Sequence, residues 1–289
     1  MPTSTPPPAP PGRSPLSRWL VDSPDPPKWL VPGIIPAGRF LVLAGAPGAG
    51  KSFLCYSLAL SGATGAPFLG SALAAPFRTL YFDEENAPDD AAEYLRWCWN
   101  GLQKPSVAEI EASLWHFSFR LGRLRDGAEV YSFMRAVCAA YQPQLIVIDT
   151  ATPCCRIADE NDNAEASRAI RALRQVVWTS APDATIIVLK HLRIDHDSGY
   201  KDVRGAKAWS GEADGVIFLE RARGRPFKLL NRAFSATRLY PQKTRAFGLG
   251  EPLRVTPAES SGGIILTAAP ESTPPPKRLS SFEPDPESV

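Results

Sequence analysis

The sequence predicts an α/β fold in which a mostly parallel central sheet is flanked by helices on both faces and followed by short C-terminal β segments. Three observations predict it. Apolar runs of strand length alternate with stretches of helical periodicity from Phe40 to Leu219, the order that builds parallel sheets through right-handed crossovers. One of these runs, Leu145 to Ile148, is unbroken, as in strands covered on both faces, and Ala184 to Leu189 reads as a further buried strand. Between the first run and the first helical stretch lies a glycine-rich turn, Gly45-Ala46-Pro47-Gly48-Ala49-Gly50-Lys51-Ser52.

That turn fits G-x-x-x-x-G-K-[ST] in the strand–loop–helix context the motif requires. Backbone N–H groups of such a loop wrap phosphates, so all of Gly45 to Ser52 are expected to line the ligand. Lys51 reaches the β and γ oxygens, and the Ser52 hydroxyl holds Mg²⁺. The helix starting near Lys51 turns its positive end to the same anion. ATP with Mg²⁺ is the expected ligand.

The elements follow in order. Residues 1–28, rich in Pro, Ser and Thr, cannot form a core and are expected to be a disordered arm; residues 29–256 form the ordered domain and 257–289 a flexible Pro/Ser/Glu tail. After the first helix and a Gly/Ala/Pro connection, Arg78 to Phe82 reads as a strand that ends in Asp83-Glu84-Glu85-Asn86. A carboxylate at that place suits the general base of a phosphoanhydride hydrolase, and either Glu84 or Glu85 fits; the alternative is an acidic helix start. Ala91 to Leu102 reads as helix, Leu114 to Phe119 as a short strand whose His116 is packed or on the surface, and Ala128 to Tyr141 as helix.

The unbroken strand Gln144 to Ile148 then delivers Asp149 to the Mg²⁺ shell. A helix from Ala164 to Thr179 precedes the strand Ala184 to Leu189, which ends at Lys190-His191. His191, at a strand tip, is expected to sense the γ-phosphate by hydrogen bonding. Ala213 to Glu220 is a further strand, and from Arg221 onward short β segments carry scattered Arg and Lys. Lys51, Glu85, Asp149 and His191 thus all fall at strand ends, where ligands of such sheets sit.

Composition narrows the remaining classes. A formal net charge of +2 on 289 residues excludes a polybasic protein, so nucleic-acid contact requires a local patch. Five cysteines without C-x-x-C spacing, and three histidines that form no zinc pattern with them, point to reduced thiols rather than a disulfide or zinc framework. No apolar stretch approaches a membrane span and no secretory signal pattern opens the chain, so a cytoplasmic protein without membrane contact is expected.

With these motifs assembled in this order, the stretch from Trp29 to Val255 resembles the RecA-like P-loop NTPase core of hexameric replicative helicases, closest to the RepA type and more distantly the DnaB type. Leu80-Tyr-Phe-Asp-Glu-Glu85-Asn resembles the strand that ends in the catalytic glutamate, and aligning the strands matches Glu85 to it. Asp159-Glu-Asn161, a helix and a strand ending in His191 resemble the RepA arrangement of the sensor. Asp202-Val-Arg204-Gly205 through Ala213-Asp214 is similar to the D-L-R-G-S-G run of DnaB-like cores.

The resemblance implies a homo-oligomeric ring, hexameric in the family, acting on single-stranded DNA. Each site would be completed in trans by a neighbour's basic residue, for which Arg204, Lys243 and Arg245 are all candidates. The loop Arg193 to Lys201 would face the central channel, but its charge is mixed through Asp195 and Asp197. An arginine common nine residues after the glutamate is Tyr94 here, with Arg96 the nearest. Two other classes fit the same motifs: an ATP-switched assembly factor that binds protein partners through its Pro-rich tails, and a recombinase-like filament former.

Overall fold

Six parallel strands carry the sheet, and the glycine-rich turn leaves the second of them from one side. The computed structural model describes residues 26–118, 126–194, 201–203, 207–222, 224–244 and 250–271. In chain order the first half contains β1 (Trp29–Val31), β2 (Ile35–Pro36), β3 (Phe40–Gly45), α1 (Lys51–Thr64), β4 (Thr79–Asp83), α2 (Pro88–Gly101), α3 (Val107–Ser113) and β5 (Leu114–Ser118). Then come α4 (Gly127–Tyr141), β6 (Leu145–Asp149), α5 (Ala151–Cys154), α6 (Asn163–Ser180), β7 (Thr185–Ile194), β8 (Lys201–Val203), α7 (Ala208–Glu212) and β9 (Gly215–Arg221). The chain continues through β10 (Phe227–Leu229), β11 (Arg232–Phe234), β12 (Thr237–Thr244), β13 (Leu253–Ser260) and β14 (Gly263–Pro270).

The order across the main sheet is β14-β13-β12-β9-β3-β7-β6-β4-β5, with β8 paired to β7. All pairings from β9 through β3 to β5 are parallel, and β12, β13 and β14 extend the sheet antiparallel from β9. This is the expected α/β architecture. β7 is inserted between the strand that feeds the turn and the strand that ends in Asp149, which sets His191 between them.

Period-2 alternation of side chains explains why these strands are apolar throughout. Phe40, Val42, Phe82, Ile146, Ile148 and Val188 face one core with Met134 of α4 and Ile170 and Leu173 of α6. Leu41, Leu43, Tyr81, Val147 and Leu189 face the other with Leu54 and Tyr56 of α1 and Cys98 of α2. Each such aliphatic side chain contributes about 1.5–3 kcal/mol by leaving water, so the two cores hold the strand tips in fixed register. All five cysteines are buried thiols. Among the described residues no helix is long and apolar enough to cross a membrane.

Three expectations change. First, β7 does not stop at Leu189 or at His191: it runs to Ile194 and forms an antiparallel hairpin with β8, pairing Leu192 with Val203 and Ile194 with Lys201. His191 is instead the last residue of β7 paired to β3, opposite Gly45. Secondly, the limit drawn at 257 falls inside β13. The β13–β14 hairpin buries Val255, Ile264 and Leu266, and α2 rests on it so closely that a Cβ at Gly263 would lie 2.2 Å from the Gly101 nitrogen. Thirdly, α3 was not expected; Ser106 caps it by accepting from the Glu109 N–H. The arm residues 1–25 and the tail residues 272–289 lie outside the described residues.

Candidate active site

The turn after β3 is shaped by its glycines. Gly50 caps α1 in the left-handed region, at φ 88°, where a side chain is strained, and at Gly45 a Cβ would stand 2.5 Å from the Leu219 carbonyl oxygen of β9. Lys51, the first residue of α1, is buried, and its Nζ donates to the Gly45 and Ala46 carbonyls at 3.1 and 3.2 Å. Burial lowers its pKa, against the opposing pull of the Glu85 and Asp149 charges. Arg221, at the end of β9, donates from Nη2 to the Gly48 carbonyl at 3.4 Å.

Around that lysine the strand ends converge. The Lys51 Nζ lies 3.5 Å from Nδ1 of His191, whose Nε2 lies 3.6 Å from Oε1 of Glu85. One neutral tautomer serves both contacts, with Nδ1 accepting from the lysine and Nε2–H turned to the carboxylate. Glu85 is exposed, as a group that must meet water has to be.

Asp149 is fully buried, and Tyr81 Oη–H and Asn86 Nδ2 both donate to its Oδ2, at 2.8 and 3.3 Å. Burial, then the nearby Asp83 charge, pushes its pKa up to about 7, while Ser52 and Tyr81 pull against the shift. Its Oδ1 is buried without a hydrogen-bond donor among the described residues. An orphaned carboxylate oxygen beside a serine hydroxyl is a fit donor set for Mg²⁺, which takes one or two protein oxygens and completes its shell with water and phosphate.

Several participants carried no sequence signal. Asp83, the last residue of β4, pairs in register with Asp149 and is buried. It accepts from the Glu85 and Asn86 backbone N–H groups at 3.0 and 2.9 Å, so it shapes the turn that carries Glu85. Burial alone would raise its pKa, but hydrogen bonds from His116, Tyr56 and Asn86 outweigh this and leave it lowered. Tyr56 hydrogen-bonds both the Asp83 carboxylate and His116, and its ring stacks on Tyr81 at 4.4 Å. His116 is therefore part of this network rather than mere packing. Tyrosines spaced 25 residues apart in sequence reveal nothing of this until the sheet is assembled.

A pocket of about 300 Å³ opens beside Gly48, Ala49 and Gly50, on the β9 side of β3 and so away from His191. Phe53, Tyr94, Trp97 and Phe234 wall it; Arg232 is held over the Trp97 ring by Glu93 at 2.8 Å.

Register sets Lys243 opposite Val216, which pairs with Val42 of β3, so it stands toward the sheet's amino edge, away from the turn of its own chain. Arg204, Arg245, Asp195 and Asp197 lie outside the described residues.

A phosphate-cradling loop at the carboxyl ends of parallel strands, with a buried lysine and two converging carboxylates, defines a P-loop nucleotide-binding ATPase core. The family profile described as AAA domain matches residues 5–197, more than half of the chain, and the protein belongs to that family. No curated protein matches the chain.

Proposed function

We propose that the protein is a Mg²⁺-dependent ATP hydrolase of the RepA type, working as a homo-oligomeric, hexameric ring that translocates on single-stranded DNA. The observation that carries the hydrolase reading is the contact line Lys51–His191–Glu85 beside the Asp149 carboxylate. In this reading the loop amides and Lys51 bind the β- and γ-phosphates, and Glu85 orients the attacking water and takes its proton. His191, touching both Lys51 and Glu85, reports loss of the γ-phosphate along β7 to the β7–β8 hairpin. Ser52 and Asp149 would hold Mg²⁺, which when bound neutralises charge on the phosphate oxygens. With the γ-phosphate directed at His191, the nucleoside leaves toward β9, where the aromatic pocket offers a stacking surface.

The ring and DNA roles rest on the resemblance of the assembled motifs. The position of Lys243, remote from its own loop, agrees with a residue given to a neighbour's site. ATPase rate with and without single-stranded DNA tests the proposal, followed by fork unwinding and by gel filtration with ATP. Stimulation that weakens steeply with salt supports phosphate-backbone contacts. DNA-independent hydrolysis without unwinding would instead favour the assembly switch.

A further inference from the structure

Two carboxylates that pair across β4 and β6, Asp83 and Asp149, are joined by a single side chain. The Asn86 amide nitrogen donates to Asp83 Oδ2 at 3.0 Å and reaches Asp149 Oδ2 at 3.3 Å. Its own backbone N–H, with that of Glu85, is held by Asp83 Oδ1. One N–H of the amide is thus anchored to the carboxylate that shapes the Glu85 turn, and the other to the carboxylate whose free oxygen, Oδ1, is the candidate metal donor.

We propose that Asn86 is a positioning residue that couples the metal-binding carboxylate to the general base. This rests on the reading of Glu85 as that base. Asp149 cannot turn toward a cation without pulling on Asn86, and Asn86 cannot move without disturbing Asp83, whose Oδ1 holds the Glu85 N–H. The frame around this link is rigid: the Tyr56 hydroxyl clamps Asp83, the Tyr81 hydroxyl clamps Asp149, and the two rings stack nearly parallel, at 3°. Rigid clamps on both carboxylates leave the asparagine as the link between them, so filling the metal position sets the direction of Glu85. The consequence is a base that is aimed only when the metal–nucleotide complex is in place.

The test is a double-mutant cycle on single-turnover ATP hydrolysis in the full chain, with Asn86→Ala and Glu85→Gln separately and together. Asn86→Ala is expected to slow hydrolysis by about ten- to a hundredfold, the usual effect of removing a group that orients a metal ligand, with nucleotide affinity within about threefold. In the Glu85→Gln background it is expected to cost nothing further, because it acts through that carboxylate. Asn86→Asp, equal in size but with the donor replaced by an acceptor, is expected to behave the same way and serves if the alanine variant misfolds. A slowed Glu85→Gln with an additive further loss from Asn86→Ala overturns this inference alone. A wild-type rate in Glu85→Gln overturns the base assignment and the inference with it.

Discussion

Glu85 Oε1 stands 3.6 Å from Nε2 of His191, which places the proposed general base and the proposed γ-phosphate sensor within one ring's width of Lys51. The arrangement follows from topology. β7 lies between β3 and β6, so its side chain at the Gly45 register is the natural neighbour of both the loop lysine and the turn after β4. Glu85→Gln is predicted to bind ATP normally and to hydrolyse it at least about a hundredfold more slowly, within the range that a lost general base costs. His191→Ala is predicted to keep affinity within about threefold while losing most of the response to single-stranded DNA, a split that separates sensing from binding. Steady-state ATPase assays with and without DNA read both.

Asp149 makes a prediction about pH. Its folded pKa, about 7, lies above the ordinary carboxylate value of 3.8. Between these values the folded chain holds a proton that the unfolded chain has released. Its stabilising contribution is therefore present at acid pH and is lost as pH rises toward 7. Asp83, whose pKa is lowered, acts in the opposite sense and loses its contribution as pH falls. Asp149→Asn should therefore raise the melting temperature of metal-free protein at pH 8 and abolish Mg²⁺-dependent hydrolysis, a stabilising change that removes function. A lower melting temperature for this variant at pH 8 would contradict the assignment.

The aromatic pocket predicts a binding defect without a chemical one. Trp97→Ala removes the wall on which Arg232 lies. It is expected to raise the ATP KM by about tenfold or more, the worth of one stacked base, with kcat unchanged. Equal affinity for ATP and for inorganic triphosphate in the wild-type protein would show that the nucleoside is not held there.

Ending the chain at residue 256 should destabilise it severely, whereas ending it at 271 should not. The shorter form lacks β14 and exposes the face against which Ile264 and Leu266 pack; losing even one buried aliphatic side chain costs about 2–5 kcal/mol. Urea unfolding of the two truncated forms gives the comparison.

The loop, the Asp149 strand and the alternation of elements were legible because each is local: a motif of eight residues, an apolar run, a periodicity. The β13–β14 hairpin was not, because no local motif or unbroken apolar run marks it ahead of the Pro/Ser/Glu-rich stretch, and its pairing is set only against β12 and α2. Pro257 is tolerated because β13 pairs with β12 only through Val255, so the edge where a proline N–H is missing has no partner strand there. Likewise β7 reads in the sequence as ending at the polar pair Lys190-His191, since the apolar run breaks there and beyond it, in Leu192-Arg193-Ile194, apolar and charged residues alternate. The cluster of Tyr56, Tyr81, Asp83, Asn86 and His116 joins two strands, the turn after β4 and a helix by no fixed spacing, so only the assembled sheet reveals it.

The central claim is that one site at these strand ends hydrolyses ATP, and the most direct measurement is phosphate release from ATP by the purified protein with and without Mg²⁺, beside Lys51→Ala. The account predicts Mg²⁺-dependent release by the wild-type chain, increased by single-stranded DNA and absent from the variant. Equal release by the two proteins, or release indifferent to Mg²⁺, would contradict it.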